Sequence, residues 1–357
     1  MISTLIRLSV IVPVYNAAKT LQQCLEALFQ NPLKESEVIV VDDHSNDESV
    51  KIAEQFNVQL IKNERRKGPA AARNFGASHS HGEILFFVDS DVCVSKRAVE
   101  DVLRSFDEDS ELAAVFGSYD TEPSSQNFLS QYKNLFHHYV HQNSKEEAVT
   151  FWAGCGAIRN DVFDSVGGFN EKDYPNPSIE DIELGLRLWK HHHRVRLEKT
   201  LQAKHLKHWT WSSLLKADIF YRAYPWSRLI VQNGALPNHL NLQTSHRISA
   251  VLVALLTSLI FFVAIGYHWL DRFYLSCLLC SILIVFAVLI ILNRDLYLFF
   301  LKHRGPFFAF LTIPWHLFYY LYSGITFAAC WLLHKLRLTP SMRNIPKEVS
   351  PTRNLNH

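Results

Sequence analysis

Three stretches of this chain hold no Asp, Glu, Lys or Arg: Ile248 to Ile265, Phe273 to Leu292 and Pro306 to Leu333. About 20 apolar residues cross the hydrocarbon core of a bilayer as a helix, so each stretch is long enough to span. None shows the polar face that a helix on a soluble core would keep. A C-terminal helical membrane domain follows, and it leaves the residues before it to form a separate folded part. Arg294, Lys302 and Arg304 after the second stretch favour an inside loop and a hairpin of the first two spans. A third crossing would put Lys335, Arg337, Arg343, Lys347 and Arg353 outside, whereas Pro314 and Gly324 would let the third stretch be re-entrant or interfacial, so two and three spans both stand.

The N-terminal run Met1–Asn16 carries Arg7 and Pro13, and its β-branched stretch is too short for a signal segment. The expectation is a multi-pass membrane protein whose N-terminal part stays on the cytoplasmic side. A net charge of +2 gives no reason to expect a nucleic acid partner. The six cysteines are scattered, and Cys277 and Cys280 fall inside an apolar stretch, where structural thiols are expected rather than a disulfide framework.

In the N-terminal part, strand signals alternate with helical segments: Leu8–Val14, Val38–Asp42, Val58–Lys62, Ile84–Val88 and Ala113–Gly117. That alternation predicts an α/β domain with a mainly parallel sheet flanked by helices. Ser45 and Glu48 have capping-box spacing before a helix over Val50–Phe56, and Ser178 and Asp181 have similar spacing before Ile182–Lys190. Phe128, Tyr132, Leu135, Phe136 and Tyr139 recur at helical spacing, which predicts a helix packed on the sheet. Trp209–Ile230 mixes aromatic residues with Lys207, Lys216, Arg222 and Arg228 just before the first apolar stretch, the composition of an interfacial helix. The domain bounds read 1–205, 206–247 (interfacial), 248–335 (membrane) and 336–357 (polar tail).

Ile84–Val88 is apolar throughout, as a strand buried on both faces is, and it runs into Asp89 and Asp91. The carboxyl ends of such strands are where open α/β sheets bind ligands. Two neighbouring carboxylates there repel and lose hydration, which a Mg²⁺ or Mn²⁺ ion or hydrogen-bond donors would offset. An isolated pair of this kind more often starts a turn. Four further segments accompany it in order: Ser9–Asn16 with Pro13 and Tyr15, Val38–Ser49 with Asp42 and Asp43, Gly68–Ala77 with Arg73, and Gly154–Glu171 followed by Glu180-Asp181-Ile182-Glu183-Leu184.

Taken together these segments resemble the family 2 glycosyltransferases of the GT-A nucleotide-sugar fold, over roughly the first 205 residues. The resemblance implies a nucleobase pocket shaped by Pro13 and Tyr15, with Asp42 accepting from the base and Arg73 contacting the nucleotide. It implies Asp89 near ribose and metal, and Asp91 as ligand of a divalent cation, Mg or Mn, on the diphosphate. Some relatives use a downstream histidine as a further metal ligand, a place for His205 or His208 beside plain packing roles. Asp181 would be the general base on the acceptor hydroxyl with Glu180 its substitute, unless Asp181 closes the Ser178 capping box. Asp43 reads as a turn residue. Processive synthases of the family carry Q-x-x-R-W after the base; Tyr221–Trp226 does not match it.

The resemblance and the apolar stretches together imply a membrane-bound, non-processive, metal-dependent inverting transferase, moving a sugar from a UDP- or GDP-sugar to a lipid-linked or membrane-interface acceptor. A soluble or protein acceptor with the membrane part as anchor, and a non-catalytic nucleotide-sugar-binding protein, are the alternatives.

Overall fold

The computed structural model describes residues 6–233 and 244–338. The chain separates into two compact units. The first is built from the segment ending at Ser118 and from Lys145–Leu206; the second joins Tyr119–Ser144 to Lys207–Leu333. This differs from the expected bounds, because a segment in the middle of the first 205 residues is shared with the C-terminal helices.

The first unit holds a nine-stranded sheet: β1 (Leu8–Val14), β2 (Ser36–Asp42), β3 (Gln59–Lys62), β4 (Ile84–Val88), β5 (Val92–Val94), β6 (Leu112–Tyr119), β7 (Glu147–Ala148), β8 (Cys155–Arg159) and β9 (Arg194–His205). The order is β3-β2-β1-β4-β8-β6-β9-β5, with β7 on β9. From β3 to β4 the strands are parallel. Beyond β4 the expected parallel sheet turns antiparallel, at β4–β8 and β8–β6 and again at β9–β5. The physical signal for that half is alternation: in β9, Val195, Leu197, Leu201, Ala203 and His205 are buried while their neighbours are not. A parallel sheet would have needed a further crossover helix.

Helices cover the parallel half. In α1 (Leu21–Leu28), Leu21, Cys24, Leu25 and Leu28 recur on one face and are fully buried. In α3 (Pro69–Ala77) small residues bring the backbone onto the sheet: a Cβ on Gly76 would sit 2.5 Å from Ile11 Cγ2. α2 spans Ser49–Ala53 and begins at Glu48 without a side-chain cap, so the expected Ser45–Glu48 capping box does not form. Ser45 is used elsewhere: its Oγ accepts from Asn16 N, tying the end of β1 to that of β2. The remaining helices of this unit are α4 (Ala98–Glu108), α6 (Asn160–Ser165) and α7 (Glu180–Lys190).

The second unit contains α5 (Phe128–Gln142), α8 (Trp211–Lys216), a π-helix (Ala217–Ala223), α9 (Tyr224–Asn233), α10 (Thr244–Gly266), α11 (Arg272–Leu292) and α12 (Arg294–Lys335). The aromatic face of α5, a helix expected on the sheet, packs within its own unit on Trp209, Phe300 and Trp315. Its stripe of rings is as apolar as a sheet-facing one, and pattern alone does not name the partner. Among the described residues two helices, α10 and α11, are long and apolar enough to cross a membrane. Their side chains are largely exposed, Phe261 and Phe262 by 62% and 63%, unlike those of a soluble core helix. The third uncharged stretch lies in α12, which is interrupted at Gly305 (φ 82°) before Pro306 and buries Thr312, His316 and Tyr320; it is not a third such span. Most of the expected polar tail, from residue 339 on, lies outside the described residues.

Candidate active site

The site forms where β1, β2 and β4 end. Pro13 is a buried strand residue paired in register with Val41, and Tyr15 stands 40% exposed just beyond. The Arg66 guanidinium lies 4.2 Å over the Tyr15 ring. Asp42 is buried, and its Oδ1 accepts from Ser45 N at 3.1 Å. Asp43 accepts from Asn63 Nδ2, Lys67 N and Gly68 N at 2.9, 2.9 and 2.7 Å, and so shapes the loop between β3 and α3. Gly68 has φ 94°, and a Cβ there would come within 2.1 Å of the Pro175 carbonyl oxygen. That contact brings the 175–178 loop against the start of α3.

Arg73, on the first turn and a half of α3, is 5% exposed. Its Nη2 donates to Asp89 Oδ1 at 2.6 Å and its Nη1 to Glu180 Oε1 at 3.0 Å. Burial alone would lower its pKa, but Asp89 and then Glu180 outweigh that and hold it protonated. Its Nε is buried without a hydrogen-bond partner, one donor still facing the site. Glu180 has its other oxygen on Ser178 N at 2.8 Å, so both carboxylate oxygens are committed.

Asp181 does not close a capping box with Ser178; α7 starts after Ile179 with no side-chain cap. One Asp181 oxygen accepts from Ala153 N at 3.2 Å and the other from Ile182 N at 2.8 Å. The side chain keeps a partly exposed edge. Desolvation, then the Glu180 charge, push its pKa up to about 7 against the pull of Arg73 and the two N–H groups. Behind it, Arg187 pairs with Glu183 at 2.8 Å and donates to the Val166 and Gly168 carbonyls, fixing α7 to the preceding glycine turn.

At the other edge, Val92 pairs with His205 across β5 and β9, and Leu206 N donates to Asp91 O at 2.8 Å. This register sets His205 Nε2 3.8 Å from Asp91 Oδ2. Asp91 and His205 are thus brought together, while the Asp89 carboxylate is on Arg73; His208 belongs to the second unit and meets Ser125 Oγ. Among the described residues no group of three His, Cys, Asp or Glu side chains could hold a metal ion. A Mg²⁺ or Mn²⁺ ion typically takes one or two protein carboxylates and completes its shell with phosphate oxygens and water, so the donor set fits such an ion. Arg66 stood outside the sequence motifs and Ser45 had only a capping role there; the Glu64-Arg65-Arg66-Lys67 run following a strand was the signal for the first.

Residues 9–167 match the family model described as glycosyl transferase family 2. An uncharacterized glycosyltransferase of Haemophilus influenzae is 34% identical over 187 residues, covering 51% of this chain and 61% of that protein. Glycosyltransferase GlyG of Streptococcus pneumoniae is 32% identical over 126 residues, covering 34% of this chain and 42% of that protein. The chain thus spans less than two thirds of the length of these curated relatives. The crystal structure of Staphylococcus aureus TarS 1–349 in complex with UDP-GlcNAc matches with a TM-score of 0.51 at 18% identity, over 93% of this chain and 92% of that one, a likeness of fold. The likeness to the family 2 glycosyltransferases thus rests on the domain at residues 9–167, less than half of the chain.

Proposed function

We propose that this protein is a membrane-anchored, non-processive inverting glycosyltransferase that moves a sugar from a UDP- or GDP-sugar to a lipid-linked or membrane-interface acceptor. The observation that carries this reading is Asp181: a carboxylate held by two backbone N–H groups, partly open, and raised to about 7, which suits a base at neutral pH. Glu180, 5% exposed and ion-paired with Arg73, is a positioning residue for that guanidinium rather than a second base, whereas Asp181 keeps partial exposure.

In the transfer, an acceptor hydroxyl gives its proton to Asp181 as its oxygen bonds the anomeric carbon. The bond from that carbon to the diphosphate breaks on the opposite face, and the nucleoside diphosphate departs with the electron pair. Asp91, with His205 beside it, would hold a divalent cation that supplies Lewis-acid stabilisation of the leaving diphosphate, and Asp89 would reach it through the Arg73 pair. Arg73 contributes positive charge and its unpartnered Nε–H beside Asp89. Pro13, Tyr15 and Asp42 would seat the nucleobase at the ends of β1 and β2. TarS, solved with UDP-GlcNAc, supports a nucleotide-sugar donor for this fold.

The membrane placement rests on α10 and α11. Two crossings return the chain to the side it left, which keeps both units' polar segments on the cytoplasmic side together with Arg294, Lys302 and Arg304. Incubating full-length protein in membranes with radiolabelled UDP- and GDP-sugars and Mn²⁺, then extracting with organic solvent, tests the reading. Label in the organic phase, absent with chelator or in Asp91→Ala, is expected. Label only on soluble or protein products would overturn the lipid acceptor, and full activity in Asp181→Asn would overturn the base.

A further inference from the structure

A UDP-sugar and a GDP-sugar differ in the base edge they present. Guanine carries two neighbouring donors, N1–H and N2–H, which a carboxylate meets with both of its oxygens, whereas uracil carries one, N3–H, between two carbonyl acceptors. Asp42, 5% exposed, has already placed one oxygen: Oδ1 accepts from Ser45 N at 3.1 Å. Ser45 is itself held, because Asn16 N donates to its Oγ at 3.0 Å and Asn46 N donates to Asn16 Oδ1 at 2.9 Å. Asp43 N on Val14 O and Ala17 N on Ser49 Oγ, each at 2.8 Å, close the same loop onto the end of β1. Releasing Oδ1 would leave Ser45 N without this acceptor, whereas Oδ2 accepts from no donor among the described residues. The carboxylate therefore offers a nucleobase one acceptor and not two.

A cation stands beside it. β1, β2 and β3 end in register, Val14 beside Asp42 and Asp42 beside Lys62, so Tyr15 and the 63–67 loop follow in one row. There the Arg66 guanidinium lies 4.2 Å over the Tyr15 ring, exposed and in no ion pair among the described residues. Asn16, which holds Ser45, follows Tyr15 directly, so the ring under Arg66 and the Asp42 carboxylate belong to one hydrogen-bonded unit. A guanidinium donates and never accepts. Its N–H groups suit the carbonyls that flank uracil N3–H and have nothing to offer guanine N2–H.

We propose that the donor is a uridine rather than a guanosine diphosphate sugar, with Asp42 Oδ2 accepting from uracil N3–H and Arg66 donating to a neighbouring uracil carbonyl. This rests on the transferase reading above and names the base which that reading leaves open.

The test titrates full-length protein in detergent, with Mn²⁺, against UDP, GDP, CDP and inorganic pyrophosphate, reading affinity from the shift in thermal midpoint. UDP should bind about tenfold or more tighter than GDP, whose second N–H would be left without a partner. Asp42→Asn keeps a carbonyl oxygen for Ser45 N and turns an NH₂ group toward the base. It should weaken UDP about tenfold and strengthen CDP, whose N3 is an acceptor, so that CDP overtakes UDP, a reversal that a purely structural Asp42 does not produce. Arg66→Met, at an exposed position, should weaken UDP about tenfold and leave pyrophosphate unchanged. GDP binding as tightly as UDP, or an Asp42→Asn variant that weakens UDP and CDP alike, overturns the base assignment and leaves the transferase reading standing. UDP binding untouched by Arg66→Met, or pyrophosphate lost along with it, overturns the role of Arg66 at the base. No response to any nucleoside diphosphate overturns the transferase reading and this inference with it.

Discussion

Each unit holds an ion cluster, and the two are built around opposite charges. In the sheet unit one guanidinium, Arg73, is set between two carboxylates, with Asp181 and Asp91 close by along the chain. In the helical unit one buried carboxylate, Asp218, is set between Lys133 and the half-exposed Arg222. Burial makes an unbalanced charge expensive, and an acid excess suits a proton or a divalent cation.

The sharpest way to break the comparison is at the base. Asp181→Asn keeps the shape and one of the two N–H contacts but cannot accept a proton, and kcat should fall by about 10²–10⁴-fold while the fold is retained. Next, Arg73→Met leaves Asp89 and Glu180 facing each other without their cation. Removing one partner of a buried ion pair costs about 3–5 kcal/mol, which urea unfolding would register. A denaturation midpoint equal to wild type would mean that the acid excess is not held by Arg73.

The third prediction concerns pH. Because the Asp181 pKa is raised, the protonated form, which is no base, prevails below about 7. Turnover should therefore rise with pH to a plateau above 7 and drop by about tenfold per unit on the acid side. A flat profile from pH 5 to 8 under saturating donor would remove Asp181 from the rate-determining step. The smallest effect lies beneath the site: Gly76→Ala forces a methyl against Ile11 and should cost about 1–3 kcal/mol of stability while leaving the metal requirement intact.

The parallel half of the fold was legible because its strands are continuous apolar runs and each is followed by a helix. The antiparallel half was weaker in the sequence, since β8 is five residues long and β9 follows a histidine-rich turn. The expected site residues Asp42, Arg73, Asp89 and Asp91 stand on motif-bearing strand and helix ends, where a carboxylate after a buried run is conspicuous. Less legible were the partners. Ser45 looked like a helix cap and instead joins two strand ends, and Asp181, read as a base with a cap as its alternative, forms no cap, since Ser178 N is on Glu180. Local spacing treats a side chain as available to its own helix, while the hydrogen bond it makes depends on what folding brings near.

By itself the sequence determined an α/β domain, the acid pair at the end of β4 and the two apolar helices, because each depends on pattern within short runs of consecutive residues. Only the tertiary structure decided that the aromatic face of α5 packs on the C-terminal helices, that His205 rather than His208 lies by Asp91, and that Arg73 bridges Asp89 to Glu180. Those three depend on register and packing between segments distant in the chain, where the free energy of a contact is set by both partners and appears in neither stretch alone.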